Sequence, residues 1–446
     1  MKPATSFLLT LLIAPSVVLG QVNPCDYGAI PNDGLDDSAA FLAAYKAGME
    51  TQKDVRVPAG VFELNPLVCY VFAQLNVIGE GLDKTKFLRL VNRSWTQRFR
   101  CGKGAGIRIE GITLDGNASN LDRVDGDDQH HEIRIDQLGK TKMRLVVLQS
   151  IGVRDAIADG VQFVHNGLEQ VTIHDFEYLG HVGVKLAPEG YVPVKQRRNI
   201  QFSYHPKSAF VSHSTFRDFS TEPAGGTQNH MNLTIQDCTI TGACNLQKCG
   251  DLRARRLKIH RLSSLTCDSG SAEQLQVASM ETITGTSNIL IQDSRFAIGK
   301  NPLKFRARYN RHKQDVTFER CVFSVLPGTP SIFTTTQPAT GETPEAAFSF
   351  IDCHFPACQV ACLQLGGGYD YRVKNCSFAG DIGINVNARF GPMASLVESG
   401  NTWSKTSIAL QPVTTGHPFE LNIEPDTLKR LTGKGDYYPI ETGERP

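Results

Sequence analysis

The strongest candidates for chemistry are cationic side chains on one side of a predicted strand. In PLKFRARYN (302–310), apolar residues alternate with Lys304, Arg306 and Arg308. Successive side chains of a β-strand point to opposite faces, so the alternation predicts these three cations on one outward row. Guanidinium groups bind carboxylates through paired hydrogen bonds, and an ammonium group supplies a compact positive charge. Such a row suits an anionic polymer.

Two further segments place cations outward by the same alternation. RRLKIHR (255–261) has apolar residues at alternate positions, as does GHVGVKL (180–186). Solvated surface charge would give the same pattern, so a binding role is one of two interpretations. The residues predicted to bind substrate are Arg308, His181, Lys185, Arg256 and Lys258.

Carboxylates form a second candidate centre in RDAIADGVQF (154–163), which contains Asp155 and Asp159. Glycoside hydrolysis uses two carboxyl groups, one as acid and one as base or nucleophile. A separation of four residues across a turn does not fix the required distance. Asp-Gly is also common turn chemistry, which is the structural interpretation of Asp159.

A third acidic group is the loop DRVDGDDQHHE (122–132). Its four aspartates, Asp122, Asp125, Asp127 and Asp128, flank a glycine, and clustered carboxylates can hold Ca²⁺. The spacing does not match an EF-hand, and a solvated loop is the alternative. Ca²⁺ is therefore the one cofactor candidate, and no metal-ligating set is predicted.

Bulk properties restrict the class of protein. The chain has 446 residues, is 41% hydrophobic and carries a formal net charge of +1. The near-neutral charge gives no support for a nucleic-acid partner. Met1 and Lys2 precede a short apolar run that ends near Gly20, which predicts a signal peptide over 1–20 and a secreted protein without a membrane span.

Secretion permits disulfides and glycosylation. The chain contains 12 cysteines, and Asn92, Asn117, Asn232 and Asn375 begin glycosylation sequons. Cysteine connectivity cannot be deduced from sequence. The pairs considered as bridges are Cys353 with Cys376, Cys244 with Cys249, and Cys358 with Cys362.

A repeat dominates the chain after residue 105. Each copy is a short alternating strand followed by a polar pair, a small residue and an aromatic or aliphatic residue. Copies from residue 289 onward lie roughly 23 to 32 residues apart, the range of stacked repeats. The small slot, held by Cys238, Ser294, Cys321, Cys353 and Cys376, is interpreted as a packing position. We predict an all-β solenoid of about ten coils.

The N-terminal segment YGAIPNDGLDDSAAFLAAYKAGMETQKDVRVPAGVFEL (27–64) resembles the start of the pectate-lyase-like superfamily. That resemblance implies a single-stranded right-handed parallel β-helix over 21–411, with a helix near 37–50 capping its first coil. Residues 412–446 lose the repeat and are predicted to form an irregular tail or cap. The superfamily includes lyases, hydrolases and epimerases that act on polysaccharides.

The resemblance extends weakly to the site. ADGVQF, with Asp159, is similar to the aspartate-bearing strand of polygalacturonase-type hydrolases. The paired aspartates of that group are replaced by Gly180-His181-Val182-Gly183, and the Asp-Pro-His motif of alginate epimerases is absent.

The predicted function is secreted cleavage of glycosidic bonds in an acidic, uronate-containing polysaccharide. In a lyase, Arg306 or Arg308 would neutralise the uronate carboxylate and Lys304 would be the base. In a hydrolase, Asp159 would act with Asp155. The alternatives are a uronan C5-epimerase and a non-catalytic carbohydrate-binding or adhesive β-helix.

Overall fold

The protein was analysed as a computed structural model. It describes residues 20–122, 130–165, 167–180, 199–202, 204–221, 230–284, 288–306, 314–335, 346–365, 369–386, 395–403, 407–410, 419–432 and 437–439. No helix in these ranges is both long and apolar enough to cross a membrane.

Short strands make up most of the described chain, with helix α1 (Ser38–Thr51) near the start and helix α2 (Pro425–Leu428) near the end. A 3-10 turn, Pro24–Tyr27, precedes α1. The strands, in chain order, are β1 (Val55–Arg56), β2 (Gly60–Leu64), β3 (Leu67–Val71), β4 (Gln74–Ile78), β5 (Thr85–Arg89), β6 (Gln97–Cys101), β7 (Gly106–Asp115), β8 (Ile133–Gln137), β9 (Met143–Arg154), β10 (Val161–Val164), β11 (Leu168–Tyr178), β12 (Ile200–Phe202), β13 (Ser208–Ser212), β14 (Thr215–Phe216), β15 (Phe219–Ser220), β16 (Met231–Gln236), β17 (Thr239–Arg255), β18 (Lys258–Glu273), β19 (Gln276–Val277), β20 (Thr282–Thr284), β21 (Asn288–Gln292), β22 (Arg295–Ile298), β23 (Leu303–Arg306), β24 (Gln314–Glu319), β25 (Val322–Val325), β26 (Phe333–Thr335), β27 (Ala346–Ile351), β28 (His354–Phe355), β29 (Leu363–Leu365), β30 (Asp370–Lys374), β31 (Ser377–Phe378), β32 (Ile382–Val386), β33 (Ser395–Ser399), β34 (Thr402–Trp403), β35 (Ser407–Leu410), β36 (Phe419–Asn422), β37 (Leu431–Thr432) and β38 (Tyr437–Pro439).

These strands stack into three parallel ladders, which we call faces 1, 2 and 3 in the order in which each coil visits them. In one coil, β21 belongs to face 1, β22 to face 2 and β23 to face 3. Each strand pairs in parallel with the strand one coil later, and β17 and β18 each contribute to all three faces. The arrangement is a parallel β-helix, as predicted. Right-handed winding stays a prediction.

The number of coils differs from the predicted ten. Face 3 contains fifteen strand segments from β3 to β37 within the described residues. Coils in the middle are short: Leu252 pairs with Gly270, and Gly270 pairs with Ile289. Their strands keep a polar pair at the corner, but Leu257 and Leu275 replace the small residue, so the sequence pattern passes over them. The face 1 ladder also continues through β36 and β38, beyond residue 411.

The corner between faces 1 and 2 explains the repeated polar residue. One residue per coil adopts a left-handed conformation there, and Asp, Asn and other polar residues tolerate it better than β-branched residues. The described non-glycine residues at this corner are Ser150, Asp175, His213, Asp237, Arg256, Gln274, Asp293, Arg320, Asp352 and Asn375. The chain turns at this residue and then enters face 2.

The slot after the corner is a packing position, as predicted. Cys238, Ser294, Cys321, Cys353 and Cys376 are all buried there. All twelve cysteines are free thiols, so the bridges considered from sequence are not formed in this structure. Cys244 pairs on face 3 and Cys249 on face 1, which separates that pair.

Aromatic stacks fill the core of the later coils. The rings of Phe323 and Phe355 lie 5.1 Å apart at 6°, and those of Phe355 and Phe378 lie 4.8 Å apart at 11°. The parallel register places like residues above one another, so each ring contacts its neighbour one coil away. Such contacts add to the area that the core removes from water.

Helix α1 caps the first coil, as the N-terminal motif predicts. Phe41 and Tyr45 are fully buried, and the Tyr45 hydroxyl donates to Gln97 Oε1 at 2.8 Å. The helix covers the open end of the stack, where an uncovered core would invite aggregation.

Candidate functional site

A groove on face 2 is open to solvent and brings polar side chains together. Its volume is about 600 Å³ and its walls come from β17, β18, β19, β22 and β25. Two cationic side chains, Lys258 and Arg295, line it together with the imidazole of His260, and polar neighbours lie between them. The lining residues used below are Thr241, Lys258, His260, Gln276, Arg295 and Ser324. We call it the cationic groove.

Strand register brings these residues together. Lys258 pairs with Gln276, which pairs with Arg295, so two strand steps of about 4.8 Å separate the two cations. His260 lies two residues after Lys258 on the same strand, roughly 7 Å along it. Between these outward positions, Ile259 and Phe296 point into the core. Period-two alternation therefore builds the groove on a rigid, buried floor.

The cations of the groove lack anionic partners. Among the described residues, no ion pair or side-chain hydrogen bond engages Lys258, His260 or Arg295. None of the described residues that line the groove is a carboxylate. In a chain of net charge +1, this local excess of positive charge attracts anions.

Arg256, also predicted from sequence to bind substrate, contrasts with this group because it has an anionic partner. It sits at the corner between faces 1 and 2, and its Nη2 donates to Asp237 Oδ2 at 2.6 Å. The hydrogen bonds from Arg256 hold the pKa of Asp237 below its usual value. Arg320 and Asp293 form the same kind of pair at this corner. Arg256 is thus engaged by the fold, and its role as a substrate ligand stays a prediction.

Lys304 lies outside the groove. It is exposed on face 3, where it pairs with Thr282 and Thr334. It follows Arg295 in the same coil, around the next corner. The side chain of Arg306, and all of Arg308, His181 and Lys185, lie outside the described residues, so their predicted roles stay predictions.

Asp155 and Asp159 are buried, with 1% and 5% of their surface exposed. Asp155 Oδ2 accepts from the Ser119 amide at 2.8 Å, and Asp159 Oδ2 lies 3.4 Å from His131 Nδ1. Burial lowers the pKa of His131 to about 3, so this histidine is neutral at pH 7. Both carboxylates are therefore buried and contacted by neighbouring groups of the fold, and neither opens to solvent.

Asp159 and Lys304 cannot share a reacting centre. Asp159 precedes β10, and Lys304 lies in β23, six strand steps along face 3. At about 4.8 Å per step, roughly 29 Å separate them. The two centres predicted from sequence are therefore independent of one another.

The Ca²⁺ prediction falls largely outside the described residues. Asp122 is described, but Asp125, Asp127 and Asp128 are not. That prediction therefore stays untested.

Face 3 also carries an arginine cluster that the sequence did not indicate. The guanidinium groups of Arg98 and Arg134 lie 4.4 and 5.0 Å from the centre of the Trp95 ring. Both pair with Asp136, which is only 4% exposed. Because Asp136 offsets their charge, this cluster attracts an anion less strongly than the cationic groove does.

Sequence reasoning found Lys258 but missed its partners. The alternation in RRLKIHR already places His260 outward, which was a usable signal. Arg295 lies two coils later, and the short coils that bring it beside Lys258 leave no repeat in the sequence. Only the strand register reveals that pairing.

Known proteins give a fold comparison alone. No family model matches the chain, and no curated protein matches it. Among solved structures, the Azotobacter vinelandii mannuronan C-5 epimerase AlgE4 A-module is 12% identical, with a TM-score of 0.40 over 94% of this chain and 100% of that chain.

Two other structures have different activities. The Streptomyces thermodiastaticus GH87 α-1,3-glucanase catalytic unit is 13% identical (TM-score 0.41; 87% of this chain, 70% of that chain). The Streptococcus pneumoniae surface adhesin PfbA is 14% identical (TM-score 0.39; 94% and 92%). At these identities and TM-scores the comparisons assign no function to this chain, so its function must be argued from its own residues.

Proposed function

We propose that the cationic groove binds an acidic polysaccharide and that the protein cleaves it by β-elimination. The observation that carries the proposal is the pair of cations Lys258 and Arg295, which line one groove with His260 and form no ion pair with any described carboxylate. A uronate carboxylate supplies the missing charge, and a parallel β-helix offers a long surface for a chain of sugars.

The groove supports elimination better than hydrolysis. Hydrolysis by paired carboxyl groups needs two acids about 5 to 9.5 Å apart, and no described lining residue is acidic. In elimination, Arg295 and Lys258 neutralise the uronate carboxylate, which acidifies the C5 proton. His260 takes that proton, the bond from C4 to the leaving oxygen breaks, and a C4–C5 double bond forms. The proton then passes to the leaving oxygen.

This assignment revises the roles proposed from sequence. His260 replaces Lys304 as the base, because it lines the groove beside Lys258, whereas Lys304 lies on face 3. Proton removal from C5 is also the first step of C5-epimerisation, so an epimerase is the nearest alternative reaction. Secretion through the N-terminal segment is part of the proposal, and sequencing the N-terminus of the exported protein tests it.

A second candidate function is binding without catalysis. Face 3 presents a column of outward polar residues that includes Thr282, Lys304, Thr334 and Gln364 on successive strands. A continuous polar row favours a polymer lying along the solenoid. An adhesive protein would use this row without a reacting centre.

Activity on acidic polymers tests the choice. Purified protein is incubated with polygalacturonate, rhamnogalacturonan, alginate and hyaluronan, and ultraviolet absorbance and reducing ends are followed together. Elimination raises both signals, and His260→Ala reduces both by roughly 10²-fold or more. His354→Ala, at an exposed position on face 2, is the control.

Other results of this assay would indicate other functions. Reducing ends without absorbance mean hydrolysis and contradict the proposed mechanism. A change in the uronate composition of the polymer without cleavage means epimerisation. Binding with no chemical change on any polymer supports the adhesive alternative.

A further inference from the structure

Three carboxylates meet where the N-terminal loop joins the solenoid. Asp33 and Asp37 belong to the loop before helix α1, and Glu63 lies on β2. One oxygen from each lies within 4.8 Å of the others. Backbone hydrogen bonds fix the junction: the Asp37 amide donates to the Glu63 carbonyl at 2.8 Å, and the Asn32 amide donates to the Val61 carbonyl at 2.8 Å.

Two of these side chains are buried with an oxygen that has no partner. Asp37 is 4% exposed and Glu63 is 7% exposed. Asp37 Oδ1 accepts from the Ile30 amide at 2.9 Å, but Asp37 Oδ2 and Glu63 Oε2 accept no hydrogen bond. Within the described residues, no lysine, arginine or histidine forms an ion pair with any of the three.

This arrangement destabilises the folded state unless a positive charge is present. A buried carboxylate oxygen without a donor loses its hydration and gains nothing in exchange. Burial raises the pKa of both Asp37 and Glu63, and the nearby Asp33 charge adds to that effect. The loop backbone nevertheless holds the three acids together.

The donor set indicates the kind of cation. Carboxylate oxygens suit hard divalent ions rather than ions that prefer sulfur or nitrogen. Ca²⁺ binds oxygens at about 2.3–2.6 Å, so two of its ligands lie at most about 4.6–5.2 Å apart. Oxygens that lie within 4.8 Å of one another can share that sphere. Mg²⁺ dehydrates reluctantly and usually keeps several waters, so a set of three protein carboxylates suits Ca²⁺ better.

We propose that Asp33, Asp37 and Glu63 bind one Ca²⁺ ion that fastens the N-terminal loop to the first coil. Asp37 immediately precedes α1, the helix that covers the end of the core. An ion at this junction therefore ties the capping helix to β2. The role is structural and independent of the cationic groove.

Thermal unfolding with and without Ca²⁺ tests the site. Full-length protein freed of metal with EGTA is melted alone, with Ca²⁺ and with Mg²⁺, and Ca²⁺ binding is measured by calorimetry. We expect saturating Ca²⁺ to raise the midpoint by at least about 2 °C, with a smaller effect of Mg²⁺.

Two variants separate the ion from general charge effects. Glu63→Gln keeps the side-chain shape and removes one charge, so it should lose the Ca²⁺ response. In EGTA it should melt at or above the wild-type midpoint, because the repulsion among the acids is reduced. Glu50→Gln, on the exposed side of α1, should keep the full response.

Two results would overturn the proposal. One is wild-type protein that neither binds Ca²⁺ nor changes its midpoint, which would mean that the carboxyl groups share a proton instead. The other is a Glu63→Gln variant that responds to Ca²⁺ as the wild type does, which would place the ion elsewhere.

Discussion

At the scale of single residues, position in the coil decides what a cation does. Arg256 and Lys258 are two residues apart, and both are exposed. The corner residue Arg256 is paired with Asp237, whereas the strand residue Lys258 faces the groove without an anionic partner. The alternation of apolar and polar residues predicted that both side chains point outward. It did not predict the ion pair, because the sequence does not show which residue stacks one coil away.

Buried histidines give the protein a predicted sensitivity to acid. Burial lowers the pKa of His165 from 6.5 to about 4 and that of His131 to about 3. Below pH 6.5 the unfolded chain takes up protons that the folded chain refuses. Stability is therefore complete above about pH 6.5 and is lost progressively as the pH falls toward 4 and then 3.

The free energy of unfolding in urea at pH 7 and pH 5 measures this effect. Each histidine should account for a loss on the order of 1–2 kcal/mol at pH 5. His165→Asn keeps an acceptor for the Gly167 amide, which donates to His165 Nδ1 at 3.0 Å, and should make the loss smaller. The exposed control His354→Asn should not. An equal loss in the wild type and His165→Asn would contradict the account.

At the scale of elements, the left-handed corner is the unit that the sequence reveals best. Each copy with an Asp or Asn, a small residue and an aromatic residue marked a real turn from face 1 to face 2, as at Asp352 and Asn375. The coils between residues 239 and 284 carry Arg256 and Gln274 at the corner instead, and were not recognised. Packing, rather than the residue's own preference for the left-handed conformation, stabilises those corners.

Substitutions at one corner should separate backbone strain from other effects. Asp352 has φ 52°, so Asp352→Val should cost about 1–2 kcal/mol, because a β-branched side chain is strained there. Asp352→Gly should be nearly neutral. Both effects are measured as changes in the urea concentration at the midpoint of unfolding.

The matched control lies on the same coil in an extended conformation. Ser349→Val, on an outward position of β27, should be neutral or stabilising, because β-branched residues suit strands. If Asp352→Val and Ser349→Val shift the midpoint equally, the corner is not under conformational constraint.

At the scale of the whole molecule, the sequence indicated the parallel stack and its capping helix, but neither the number of coils nor the site. The stack follows from a local pattern that recurs along the chain, and the capping helix follows from the N-terminal motif. The cationic groove depends on residues such as Lys258 and Arg295, which meet only through coil lengths that the sequence does not display. Asp159 and Lys304 each looked suitable alone, yet lie six strands apart.

The claim that the cationic groove binds an acidic polysaccharide is tested most directly by polygalacturonate affinity at low salt. Lys258→Ala with Arg295→Ala should weaken binding at least tenfold, whereas the corner control Arg256→Ala should leave it unchanged. Wild-type affinity should fall as salt rises, because the contacts are charged and solvent-accessible. Equal affinity of the double variant and the wild type would contradict the account, as would equal losses in the double variant and the Arg256 control.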